Sequence, residues 1–90
     1  MRLYHVHASS IIKSARKIRN MSQLDLHLTM KPDGIKTPMQ ISAIERGRAP
    51  IPPKMVNKLC RHLGIHKEVL LDAMVRDYQN ALIDEVEKWN

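Results

Sequence analysis

The sequence predicts an all-α domain of five helices joined by short connections, with an extended C-terminal helix. Three observations predict this class: apolar residues recur at spacings of three and four, capping residues precede several of these runs, and glycine or asparagine follows several of them. Hydrophobic residues make up 43% of the 90 residues and charged residues 27%, which is typical of one globular domain with a single core.

The chain ahead of the first helix is expected to be a short strand or a loose arm over residues 1–9. Ser9 or Ser10 is suited to cap the first helix, and Asn20 is suited to end it because asparagine tolerates the left-handed conformation. The apolar stripe of this helix comprises Ile11, Ile12, Ala15 and Ile18.

The second and third helices are predicted from capping patterns. Ser22 and Asp25 have the spacing of a capping box, with the serine at the N-cap. The third helix is expected to run from Pro38 to about Arg46, because Thr37 is a good N-cap and proline suits the first helical position. Gln40 has the position of a capping-box partner for Thr37.

The fourth and fifth helices follow a Pro-Pro pair and a glycine. Pro52-Pro53 begins the fourth helix and Gly64 ends it. We expect residues 10–66 to form the compact domain and residues 67–90 to form a helix for dimerisation or partner contact. Its apolar stripe comprises Leu71, Val75, Tyr78, Leu82, Val86 and Trp89, and its acidic face Asp77, Asp84, Glu85 and Glu87.

The net charge of +6 is unevenly distributed along the chain. Residues 1–66 hold twelve lysines and arginines against three acids, whereas residues 67–90 carry a net charge of −3. A basic body favours a polyanionic partner. Only Tyr4, Tyr78 and Trp89 are aromatic, so the chain lacks the stacking platform typical of single-strand binders, and duplex DNA is favoured.

Several function classes are disfavoured by what the sequence lacks. It has no apolar run near the ~20 residues that span a bilayer and no pattern of a secretory signal. The single Cys60 fits a reducing cytosol, and the scattered histidines lack the spacing of a zinc site. No nucleophile–base set or phosphate-binding glycine loop is present, so we expect a cytoplasmic protein that is not an enzyme and has no cofactor or metal.

Four segments match a known pattern in the same order. They are Arg16 six residues before Ser22, Ser22-Gln23 followed by Leu26, the segment Ile41-Ser42-Ala43-Ile44-Glu45-Arg46-Gly47, and the segment Leu59-Cys60-Arg61-His62-Leu63-Gly64-Ile65. Over about residues 10–72 the chain resembles the phage-repressor-like helix-turn-helix family, the Cro-type or xenobiotic-response-element group. The resemblance implies a lambda-repressor-like fold that places the third helix in the major groove of DNA.

The resemblance also implies roles for individual side chains. Arg16 and Glu45 are expected to form a structural ion pair between the first and third helices. The expected base readers are Pro38, Met39, Gln40 and Ala43, although the amide of Gln40 is equally suited to the capping box. The expected phosphate contacts are Gln23, Lys36, Thr37, Ser42, Arg46, Arg48 and Lys54.

Two features depart from the family pattern. His27 stands where the family usually has a small residue. A side chain as large as histidine at this position would crowd the third helix. The connection from Met30 to Thr37 is about four residues longer than usual, so it can hold the two helices slightly apart.

We therefore expect a sequence-specific, double-stranded DNA-binding transcriptional regulator of bacterial or phage origin. Its most favoured form is a homodimeric repressor that reads a palindromic operator. Two alternatives stay open: an antitoxin that binds a small protein toxin and represses its own operon, and a protein-interaction module that has lost DNA binding. The expected dimer or partner contacts are Tyr78, Leu82, Val86 and Trp89.

Overall fold

Five α-helices make up most of the structure, a computed structural model that describes residues 5–33, 35 and 37–89. No strand occurs among these residues, and two short 3-10 turns, Lys31–Asp33 and Pro53–Met55, precede the third and fourth helices. The helices are α1 (Val6–Ile18), α2 (Gln23–Met30), α3 (Pro38–Glu45), α4 (Val56–Leu63) and α5 (Lys67–Glu87).

The core lies where α1 packs against α3, α4 and α5, and where α2 packs against α3 and α4. Its fully buried side chains are Ile12, Leu26, Met30, Ile35, Ile41, Met55, Leu59 and Leu70. Because the largest apolar side chains of all five helices meet there, burial of this surface is the main force that holds α3 in place.

The start of α1 corrects the predicted boundary of the N-terminal arm. The helix begins at Val6, so residues 6–9 are helical, and residues 1–4 lie outside the described residues. Ser9 does not cap the helix, since its hydroxyl donates to the Val6 carbonyl at 2.9 Å. The cap comes instead from α5, where the two carboxylate oxygens of Asp77 accept from the N–H groups of His7 and Ala8 at 3.0 and 2.9 Å.

Several predicted helix ends are confirmed, whereas α4 begins at Val56, after the 3-10 turn Pro53–Met55, and not at Pro52-Pro53. The Ser22–Asp25 capping box is present, and Asn20 ends α1 with a φ of 56°. Gly64 follows α4 with a φ of 67°. At α3, however, the Thr37 side chain makes no capping hydrogen bond to the described residues of the helix.

The end of α1 differs from the predicted apolar stripe. Ile18 is 81% exposed, whereas Arg16 is buried in the face that points at the core. This face includes an arginine because α3 offers it a carboxylate, as described below.

Helix α5 has two faces of different character. Its buried face comprises Leu70, Ala73, Asp77 and Asp84. The two aspartates were expected on an exposed acidic face, so that expectation was wrong for both. The predicted apolar stripe lies on the far side of the helix, and all of its members, from Leu71 to Trp89, are exposed.

Candidate nucleic-acid interface

Helix α3 presents its first turn to solvent. Ile41 and Ile44 anchor the helix in the core, while Thr37 and Pro38 at its start are exposed. Met39 is 78% exposed, so a large apolar side chain is accessible in the first turn of α3. The predicted base readers Gln40 and Ala43, one turn apart, are half-buried. The four predicted readers therefore lie on the solvent side of one short helix.

A shallow cavity of about 390 Å³ lies beside these residues. Exposed Arg46 and Arg48 flank it after the end of α3, and half-buried Ser42 lies between them and the readers. Its lining residues are Met39, Ser42, Ala43, Arg46 and Arg48. Two guanidinium groups and a hydroxyl provide donors for phosphate oxygens, next to an apolar surface that suits a sugar or a base edge.

Two lysines, Lys54 and Lys36, are the remaining predicted phosphate contacts outside α2 and α3. Lys54 is exposed on the 3-10 turn before α4, so its ammonium group is accessible to a polyanion. Lys36 lies outside the described residues.

An ion pair fixes α3 against α1. Arg16 Nε donates to Glu45 Oε2 at 2.6 Å, and Nη2 donates to Oε1 at 2.9 Å, so the contact is bidentate. Arg16 Nη1 also donates to the Met21 carbonyl at 2.7 Å. The hydrogen bond to Glu45 is the main cause that raises the pKa of Arg16; desolvation by burial lowers this pKa by less, and the still smaller coulombic attraction of Glu45 raises it. The structure thus places the two side chains together, as the resemblance implied.

Gln23 has a partner that the sequence did not predict. Its Nε2 donates to Glu45 Oε1 at 3.2 Å, which joins the first turn of α2 to the ion pair. An amide has two N–H donors, so one is engaged here and a phosphate contact would have to use the other. Glu45 therefore orients a residue expected at the DNA backbone, in addition to holding α1.

The long connection between α2 and α3 contributes to the core. After the 3-10 turn, Ile35 is fully buried, and its N–H donates to the Met30 carbonyl at 3.4 Å. His27 on α2 is 7% exposed, and its Nδ1 has no hydrogen-bond partner among the described residues. The large side chain is thus accommodated inside the domain. A lone isoleucine within a polar turn was the only sequence signal for the role of Ile35.

The apolar stripe of α5 is exposed and lies outside the buried face of that helix. From the sequence, its distal half is expected either to fold back against the Leu3–Val6 arm or to pack against a second chain. Of the arm, Leu3 lies outside the described residues and Val6 belongs to α1 and is itself exposed. The exposed stripe residues in the distal half are Tyr78, Leu82, Val86 and Trp89.

The described residues contain neither a candidate metal site nor a candidate membrane span. No cluster of three or more histidine, cysteine or carboxylate side chains has the proximity needed to hold a metal ion. None of the described helices combines the length and the apolar character needed to cross a bilayer.

Comparison with protein families gives a match over most of the chain. A family model described as "Helix-turn-helix" matches residues 12–70, which extend from the first turns of α1 into α5 and include all of α2, α3 and α4. No curated protein and no solved structure shows a significant match.

Proposed function

Because the chain belongs to the Cro-like helix-turn-helix family of DNA-binding regulators, we propose that it is a sequence-specific transcriptional repressor that binds duplex DNA as a homodimer. The proposed setting is the cytoplasm of a bacterial cell or of a phage-infected host. Repression would follow from steric occlusion of a promoter, which is the simplest mechanism for a protein bound at that site.

The observation that supports DNA reading most directly is the exposed first turn of α3 beside two exposed arginines. A helix of this width enters the major groove with its N-terminal residues at the base edges. Met39 has the chemistry to pack on a thymine methyl group, and the Gln40 amide has the donor and acceptor that adenine requires. Arg46 and Arg48 would bind phosphates alongside and fix the register of the helix.

A salt series on duplex DNA tests this assignment. A random-sequence duplex library is first enriched on the wild-type protein, and Kd is then measured for the enriched duplex and for a shuffled duplex. The slope of log K against log salt is negative, and Arg46→Ala and Arg48→Ala should each make it shallower by about 0.9. Neither substitution should change the preferred sequence. Arg76→Ala, which removes an exposed arginine from α5, is the matched control and should keep the wild-type slope.

Substitution of a base reader should have the opposite signature. Met39→Ala should keep the salt slope and weaken binding to the enriched duplex by about 1–3 kcal/mol, with little change on the shuffled duplex. If the wild-type protein binds no duplex even at low salt, the DNA-reading assignment is wrong and a protein-interaction module becomes the better description.

The homodimer is supported by the exposed apolar stripe of α5. Its members are spaced by three and four residues, which is the pattern that packs one helix against another. One α3 reads only a few base pairs, and a twofold dimer would double the site into a palindrome with half-sites ~34 Å apart. The enriched duplex is then expected to contain an inverted repeat with that spacing.

A point substitution on the stripe tests the dimer better than truncation does. Truncation before Tyr78 would come within one residue of the cap that Asp77 gives to α1, so it would disturb two functions. Leu82→Glu should produce a monomer in sedimentation experiments, whereas Ile83→Glu, at a similarly exposed neighbouring position outside the stripe, should remain dimeric. A monomeric wild-type protein would refute the homodimer, and a small protein co-purifying through this stripe would favour the antitoxin.

A further inference from the structure

Asp77 is the buried acid that the proposed DNA contacts do not use. It is 3% exposed, and both of its carboxylate oxygens accept hydrogen bonds from the first turn of α1, about seventy residues earlier in the chain. Helix α1 has no side-chain cap from its own N-cap residue, His5, and no acid in its first turn. The negative charge that a helix N-terminus favours is therefore supplied by α5.

The first turn of α1 in turn supports the C-terminal end of α3. Gly47, just after α3, has a φ of 73°, and a Cβ on it would lie 3.5–3.6 Å from the backbone of His5 and Val6 and from the Ser9 hydroxyl. Such a Cβ would be in ordinary van der Waals contact, so the buried Gly47 lies close to the turn that Asp77 caps, with room for no more than a methyl group between them. Two turns further along α1, Arg16 holds Glu45 in the last turn of α3.

Helix α1 therefore holds the last turn of α3 through the Arg16–Glu45 pair and lies close to Gly47 just after it, and α5 caps the turn of α1 that lies near Gly47. Resting on the proposed function, we propose that Asp77 is a positioning residue for DNA reading. By capping α1, Asp77 fixes the turn that lies next to Gly47. It thereby sets the angle at which α3 is presented to the major groove of DNA. With an asparagine at position 77, one carboxylate oxygen becomes an NH2 donor, so one of the two amides of His7 and Ala8 loses its acceptor and the negative charge at the helix N-terminus is lost. The first turn then frays, and α3 is held by the Arg16–Glu45 pair and its core contacts.

The test compares Asp77→Asn with Asp72→Asn, an isosteric change at an exposed position of the same helix. Asp77→Asn should reduce the preference for the enriched duplex over the shuffled duplex by about tenfold, a typical size for coupling between distant sites. Asp72→Asn should leave that ratio unchanged. A general loss of stability lowers the folded fraction and weakens both affinities equally, so the ratio separates positioning from a merely structural role.

A local cap provides the rescue. His5 is the N-cap residue of α1, and an aspartate at that position would reach the N–H groups of the second and third helical residues, which are His7 and Ala8. The double variant His5→Asp/Asp77→Asn should regain the wild-type duplex preference. If Asp77→Asn alone does not fold, folding and preference should both return in the double variant, and a double variant without duplex preference would overturn the proposal.

Amide exchange in the DNA-free protein makes the test independent of the proposed function. Asp77→Asn should speed exchange at His7 and Ala8 and also at Gly47, whereas Asp72→Asn should change none of the three. Unchanged exchange at Gly47, or an unchanged duplex preference in a folded Asp77→Asn protein, would refute the positioning role. Failure of the wild-type protein to bind duplex, with exchange at Gly47 altered as expected, would refute only the proposed function.

Discussion

Removal of Arg16 should be among the most destabilising single changes in this protein. In the ion pair with Glu45, the arginine side chain is 9% exposed and the glutamate side chain 2% exposed. Arg16→Met removes both hydrogen bonds to the carboxylate and leaves the Gln23 amide, 3.2 Å away, as its described partner. A buried charge that loses its partner typically costs about 3–5 kcal/mol.

That magnitude is large compared with the stability of a domain of this size. At roughly 0.05–0.15 kcal/mol per residue, a chain of this length has an unfolding free energy of about 5–13 kcal/mol. Urea denaturation followed by far-UV circular dichroism should thus show a lower midpoint with a similar m-value. Glu85→Gln is the control, because it removes an exposed partner of Lys88 and should change stability by less than about 1 kcal/mol.

A double-mutant cycle separates the pair from its surroundings. Arg16→Met/Glu45→Leu removes both charges and should be clearly more stable than Arg16→Met alone, because no unpaired carboxylate is left in the core. A loss below about 1 kcal/mol in Arg16→Met, or a double variant as unstable as the sum of the two single ones, would refute this reasoning. The salt slope of DNA binding should stay unchanged in any variant that folds, since neither residue is proposed to contact phosphate.

Three smaller predictions concern single residues. His27→Leu should raise the unfolding free energy by about 1 kcal/mol, because it removes a buried nitrogen that lacks a described partner; a lower thermal midpoint would contradict this. Gly47→Ala and Gly64→Ala should destabilise the protein by similar amounts in urea denaturation, because both glycines have positive φ. The new Cβ would meet ordinary contacts at Gly47 and only the end of the flexible, exposed Arg19 side chain at Gly64; clearly unequal losses would contradict that. Hydrogen bonds from Ser22, the N-cap of α2, lower the pKa of Asp25. The contribution of Asp25 to the free energy of unfolding is therefore complete above the unfolded-state pKa of about 3.9 and is lost as the pH falls through the folded-state pKa. Asp25→Asn should lack that acid-side loss in pH-dependent denaturation.

The features that could be predicted from the sequence are those decided within a few residues. A capping box needs only the spacing of Ser22 and Asp25, and a left-handed helix end needs only an asparagine or a glycine at the right place. Asn20 and Gly64 therefore adopt the predicted conformations. The exposed first turn of α3 was predictable for the same reason, since Pro38 marks where the helix begins.

The features that could not be predicted depend on partners far along the chain. Because caps are usually local, the sequence predicts a helix start at Ser9 or Ser10. The acceptor for the first N–H groups of α1 is instead Asp77 on α5. The apolar pattern of α1 likewise suggested that Ile18 is buried. The face that turns inward holds Arg16 instead, because Glu45 compensates its charge there.

The sequence of α5 does not show which of its acids are buried, because that depends on which face of the helix packs on the core. Helix α5 packs on the core with one face, exposes an apolar stripe on another, and carries exposed acids such as Asp72 and Glu85 on the rest of its surface. Asp77 lies on the inner face, where the α1 N-terminus supplies two N–H donors, and Tyr78 lies on the outer face one residue later. Adjacent positions thus belong to different interactions. Leu82→Glu should abolish the dimer and leave amide exchange at Gly47 unchanged, whereas Asp77→Asn should alter that exchange and leave the dimer intact.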